Sequence, residues 1–124
     1  MRIQIRDGLP FVSVTLRHGE HDLELRDVLL DTGSSGTVFS ADSLLAIGLV
    51  YEPDDPIHRI QGVGGSEFVF LKEVDLVTIG ELQISSFAVE GGAMDYGFEI
   101  NGIVGTDFLV AVGAIIDLRT LEMH

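Results

Sequence analysis

The sequence predicts a mainly-β domain with two short helices, and three observations carry that prediction. Polar and apolar residues alternate with a period of two along several segments, as in a half-buried strand. The chain has 15 glycines, many of them between those segments, where tight turns are needed. Only two stretches, after Ser40 and after Thr106, combine a polar cap, a short apolar run and a terminating glycine.

A chain of 124 residues, 46% hydrophobic and 22% charged, suits one globular domain spanning residues 1–124. Phe11 to Leu16 alternates, and His21 to Leu25 alternates again after a turn at His18-Gly19-Glu20. Val28-Leu29-Leu30 is wholly apolar and reads as a separate short strand buried on both faces. Ser40 caps a helix over Ala41 to Ile47, which stops at Gly48. Ile57 to Ile60 and Glu67 to Leu71 flank Gly62-Val63-Gly64-Gly65, a hairpin signal. Asp75 to Ile79 and Gln83 to Val89 form a further pair, and Gly91 to Gly97 has loop composition. Ile103-Val104-Gly105 precedes a second helix, Asp107 to Val112, capped by Thr106 and stopped by Gly113. Ala114 to Leu118 and Leu121 to Met123 make a terminal hairpin. The order of apolar strand, Gly-containing turn, short helix and Gly stop occurs around Asp31 and again around Gly105, a weak internal repeat.

Composition also excludes classes of function. With 20 acidic and 7 basic residues the net charge is −13, which disfavours nucleic acid or an anionic membrane as partner. Cysteine is absent, so there is no disulfide and no thiolate metal site. Met1 to Arg6 lacks the form of a signal peptide and no apolar run is long enough to cross a bilayer, so the expected address is cytoplasmic.

The sharpest chemical feature is Leu29-Leu30-Asp31-Thr32-Gly33-Ser34-Ser35. A carboxylate placed directly after a buried strand is held by packing, Gly33 allows a tight turn, and Thr32 and Ser34 offer hydroxyls to orient it. An Asp that merely caps a turn by bonding its own backbone is the plain alternative.

The run Leu29 to Val38, with Ile60-Gln61-Gly62-Val63-Gly64-Gly65 and Ile103-Val104-Gly105-Thr106-Asp107-Phe108-Leu109, resembles the retropepsin-like aspartic peptidases. Cellular and bacterial single-domain members are a better match than viral ones. The three motifs stand in the family's order, and the likeness runs from about Leu9 to Met123. The resemblance implies a small closed β-barrel with a flap hairpin, and an endopeptidase acting on a peptide or protein as a homodimer, without a cofactor. Asp31 would be catalytic, supported by Thr32, Gly33 and Ser34. Gly62, Val63 and Gly64 would form the flap over substrate. Leu29, Val38, Ile60 and Ile103 would line apolar side-chain pockets, although plain core is the alternative for them. Thr32 would bond across the dimer axis. Because the second-half counterpart of Asp31 is Gly105, the second carboxylate must come from another copy.

The sequence departs from retroviral members in several places. Ser35 and Gly36 stand where those enzymes carry two acidic residues that anchor substrate backbone, and Thr106 replaces an Arg. Ser34 resembles cellular and pepsin-type sequences, in which that hydroxyl bonds the catalytic carboxylate. The longer C-terminus should alter the dimer sheet. Elsewhere, His18 and His21 flank one turn without evident further ligands, so no metal site is expected. His58 reads as a surface residue, and Asp54 and Asp55 as an exposed loop. Two other readings compete. One is an inactive dimerising or peptide-binding module of the same fold. The other is an actin-type phosphate loop, for which 124 residues are too few.

Overall fold

The computed structural model describes residues 1–62, 65–95 and 99–124, and of residues 60–62 and 65–66 the backbone alone. In chain order the elements are β1 (Gln4–Arg6), β2 (Leu9–His18), β3 (His21–Leu30), β4 (Val38–Ser40), α1 (Ala41–Leu45), β5 (Ile57–Gly62) and β6 (Gly65–Ile79). There follow β7 (Leu82–Gly92), β8 (Gly102–Val104), α2 (Thr106–Val112), β9 (Ile116–Asp117) and β10 (Glu122–Met123). Eight strands hydrogen-bond in the order β1-β2-β3-β8-β4-β7-β6-β5, and a further β2–β6 pairing brings the sheet back on itself. The ring-like, mainly-β architecture is that of a retropepsin-like fold.

The principal core lies inside this ring. Val14, Leu16, Val28, Phe39, Leu44, Val74, Val77, Ile79, Val104 and Phe108 are buried there without measurable exposure. A second, smaller cluster of Phe11, Val38, Val69, Met94 and Ile100 sits apart, with Leu29 and Ile103 packed against it. Strand alternation explains the division, because Val28, Leu30 and Val104 point into the first cluster while their neighbours Leu29 and Ile103 point into the second.

Several boundaries differ from the sequence-based expectation. Val28-Leu29-Leu30 is the end of β3 rather than a separate strand. The register with β2 slips between Val12 and Val14, and Asp27 takes a positive φ of 57°. This bulge shifts the inward phase from Leu25 to Val28. Leu29 is only half-buried, so this segment is not wholly enclosed on both faces. Glu67 to Leu71 and Asp75 to Ile79 belong to the single strand β6. The expected loop at Gly91 begins later, because β7 continues through Gly92 in parallel pairing with β4. At Gly91 the Phe70 ring packs over the glycine, 2.5–2.9 Å from where a Cβ would stand, so a side chain there would displace the ring. The residue before α2, Gly105, occupies the cap position without a side-chain bond, and Thr106 is the first helical residue. Ser40 caps α1 as expected, accepting from the Ser43 N–H at 3.4 Å. Asp54 is exposed as expected, but Asp55 is not: its carboxylate contacts the Lys72 Nζ at 2.8 Å and accepts from the Glu52 N–H.

The two chain ends pair with each other. Ile3 donates its N–H to the Leu121 carbonyl at 2.8 Å, and Met123 donates to the Met1 carbonyl at 2.7 Å. The terminal hairpin turns on Asp117, whose Oδ1 accepts from the Arg119 and Thr120 N–H groups at 2.9 and 3.2 Å. Among the described residues no helix is long and apolar enough to cross a membrane.

Candidate active site

Two strand ends meet at the centre of the sheet. Val28–Leu30 at the end of β3 pairs in parallel with Gly102–Val104 of β8, and Asp31 follows the first strand as Gly105 follows the second. The loops then cross-link reciprocally. Asp31 donates its N–H to the Val104 carbonyl at 3.0 Å, and Thr106 donates its N–H to the Ser34 carbonyl at 2.8 Å. The Thr106 hydroxyl adds a bond to the Thr32 carbonyl at 2.9 Å. The loop is closed internally by the Ser34 N–H on the Asp31 carbonyl at 3.1 Å.

The Asp31 carboxylate is half-buried, and its Oδ1 accepts from the Gly33 N–H at 2.9 Å. Thr32 and Gly33 are exposed beside it. The Ser34 hydroxyl, expected on the carboxylate, instead donates to the Gly36 carbonyl at 2.8 Å and so braces the loop's far side. A short hydroxyl-to-carbonyl bond two residues ahead completes a local turn, which takes the donor away from Asp31.

Behind the loop lies a polar network that the sequence reading did not single out. Thr37 is 1% exposed, and its hydroxyl donates to Asp107 Oδ1 at 2.7 Å while accepting from the Gly105 N–H at 3.1 Å. The Thr37 N–H also reaches Asp107 Oδ2 at 3.3 Å. Charge-assisted bonds of this kind are strong, and a buried Thr without them would be costly. The network ties the end of the Asp31 loop to the first turn of α2. Gly105 fits because it has no side chain: a Cβ there would overlap the Gly36 carbonyl oxygen and lie 2.7–2.8 Å from the Gly36 carbon and the Ser34 oxygen. The weak internal repeat was the available signal, since it aligns Thr106 with the residue after Asp31.

Of the expected pocket residues, Leu29, Val38 and Ile103 gather in the smaller apolar cluster. Ile60 pairs with Glu67 in the β5–β6 hairpin, but its side chain lies outside the described residues. Gly62 pairs with Gly65 at the end of that hairpin, and Val63 and Gly64 between them lie outside the described residues. His18 and His21 are cross-strand partners, and the His18 Nδ1 is 3.7 Å from Asp75 without a hydrogen bond. Among the described residues no group of three or more His, Asp or Glu is placed to hold a metal ion.

A pocket of about 580 Å³ opens beside the loop, lined among others by Ser35, Gly36, His58, Leu71, Glu90 and Asp107. Glu90 enters it from β7, and burial holds its carboxyl protonated to higher pH than an ordinary glutamate. Nearby Asp107 and Glu67 push the same way, while His58 opposes them.

A comparison with curated proteins gives no match. Residues 12–108 match the model of a family described as aspartyl protease, a span that includes the Asp31 loop, the β5–β6 hairpin, β8 and the start of α2. With most of its length so matched, and with its ring-like sheet carrying Asp31 and Gly105 at adjacent strand ends, the chain belongs to the aspartyl protease family, within the retropepsin-like clan.

Proposed function

We propose that the protein is an aspartic endopeptidase whose active form is a homodimer, with a water molecule activated between two Asp31 carboxylates. The observation that supports this most is the asymmetry of the two strand ends. One carries a half-buried, backbone-anchored carboxylate at Asp31, and the equivalent place on the other is Gly105, where no side chain fits. Peptide hydrolysis needs a base to activate water and an acid to protonate the carbonyl oxygen or the leaving amine. Two carboxylates brought together share one proton, because both cannot ionise cheaply, and the pair fills both roles. One chain supplies half of that pair, and a second copy related by two-fold symmetry supplies the other.

In this reading Thr32, exposed beside Asp31, bonds across the axis. Gly33 holds the carboxylate through its N–H, and Ser34 keeps the loop in shape through Gly36. The β5–β6 hairpin, paired out to Gly62 and Gly65, closes over the peptide and excludes water. Leu29 and Ile103, the partly buried residues packed against the smaller apolar cluster, receive apolar side chains, and buried Val38 backs them. The terminal sheet differs from one in which partners exchange their ends, because β10 already pairs with residues 1–3 of its own chain. Val110, Ile115 and Leu118, 57–72% exposed near that sheet, are the apolar surface for a second copy.

The test is cleavage of a peptide library between pH 3 and 8, with and without pepstatin, by wild type and Asp31→Asn, alongside sedimentation of both. The proposal expects hydrolysis by the wild-type dimer alone, with the variant folded and dimeric. Cleavage by Asp31→Asn at the wild-type rate overturns the mechanism. Peptide binding without any cleavage by wild type favours an inactive binding module.

A further inference from the structure

We infer that the pocket beside Gly36 selects a cationic side chain of the peptide, and that Glu90 is the residue that recognises it; the inference rests on the peptidase reading for its substrate class. Three observations converge there. First, Ser35 and Gly36 bring no charge to the stretch directly after the Asp31 loop. Second, the space a side chain at position 36 would occupy is taken by the carboxylate of Glu90, which a Cβ on Gly36 would overlap. Glu90 thus delivers an acidic group from β7 to a place the loop leaves uncharged. Third, its backbone is fixed: Glu90 donates its N–H to the Thr37 carbonyl at 2.8 Å and stands opposite Leu71 and Val38 in the sheet.

The charges around Glu90 come from three elements. Asp107 projects from α2 and Glu67 from β6, both anionic, whereas His58 on β5 favours the ionised form of Glu90 and the neighbouring Arg59, which has a partner of its own, also lines the pocket. Asp107 is engaged by Thr37, and Glu67 Oε1 accepts from the Ala93 N–H at 2.7 Å. Among the described residues the Glu90 carboxylate has His58 as a neighbouring charge but, unlike Asp107 and Glu67, accepts no backbone or hydroxyl hydrogen bond, so it is the pocket carboxylate with room for a ligand cation in a strongly acidic protein. A Lys or Arg side chain laid across Leu71 with its head on Glu90 meets both needs, an apolar wall for the stem and an anion for the charge. The preference has a direction in pH. It is full where Glu90 is ionised and declines as pH falls through its raised value.

A positional library carrying Lys, Arg, Glu or norleucine at each site measures the selection. The expected wild-type kcat/KM favours the cation by about tenfold at one position near pH 7, equivalent to about 1.4 kcal/mol. Glu90→Gln should bring that ratio close to one, and Glu90→Arg should reverse it in favour of Glu-containing peptides. The same ratio is read by fluorescence anisotropy from binding to Asp31→Asn, with and without Glu90→Gln, so a failure of catalysis leaves it measurable. No cation preference in wild type, or a preference unchanged by Glu90→Gln, overturns the inference.

Discussion

Replacing Gly105 by Ala puts a methyl group into the contact that joins the two halves of the site. The three atoms it would meet are backbone atoms of Gly36 and Ser34, which cannot rotate away as a side-chain end could. Overpacking costs about 1–3 kcal/mol, and a collision with backbone belongs at the upper end. An unfolding entropy of about 2.1 cal/mol/K per residue amounts to about 0.26 kcal/mol/K for a chain of 124 residues. The corresponding fall in Tm is about 8–12 °C, read by calorimetry at fixed protein concentration. Gly113→Ala is the control. Its φ of 65° makes the substitution strained, but no atom lies in the way. That change should cost about 1 kcal/mol, or about 4 °C. A Gly105→Ala protein that melts within about 2 °C of wild type would refute the close approach of the Asp31 loop to β8 and α2.

Thr37→Val removes a hydroxyl that both donates to Asp107 and accepts from Gly105, and should cost about 2–4 kcal/mol by chemical denaturation, whereas Thr37→Ser should retain most of the stability. Glu90 should make stability fall as pH rises. Its folded-state proton is held more tightly than in the unfolded chain, so ionisation above the raised value works against folding. Denaturation midpoints from pH 4 to 7 should show that loss in wild type and not in Glu90→Gln. Asp117 has the opposite sign: N–H donors from Thr120 and Arg119 hold its carboxyl below the ordinary range, so its contribution is present at neutral pH and lost in strong acid. Asp117→Ala should speed amide exchange at Ile115 and His124, which close the terminal hairpin, and unchanged exchange there would show the turn does not depend on that carboxylate.

The elements with strong local signals were legible in the sequence. Alternation over Phe11 to Leu16, the cap at Ser40 and the αL glycine at Gly113 each act through near neighbours, and each element formed close to its expected place. Features set by distant packing were hidden. The bulge at Asp27 looks like two ordinary polar residues in the sequence, and only the register with β2 exposes it. Gly91 and Gly92 read as loop glycines, whereas they lie in a strand where Phe70, Glu67 and Val69 approach too closely for side chains. At the site, the Asp31-Thr32-Gly33 run and its Gly105 counterpart stood out as motifs. The bond partner of Ser34 did not, because the choice between Asp31 and Gly36 is a matter of loop shape. Glu90 lies 59 positions beyond Asp31 in the chain and carries no motif, so only the parallel β4–β7 pairing brings it to Gly36.

The shared active site is tested most directly by subunit mixing. Wild-type protein is equilibrated with increasing Asp31→Asn protein at constant wild-type concentration, above the dimer dissociation constant, and peptide hydrolysis is followed. If each active site needs two Asp31 carboxylates, a one-to-one mixture leaves about half of the wild-type subunits in fully wild-type dimers, and activity falls to about half. Activity that stays constant as the variant is added would show that each chain hydrolyses peptide alone, contradicting the two-carboxylate site.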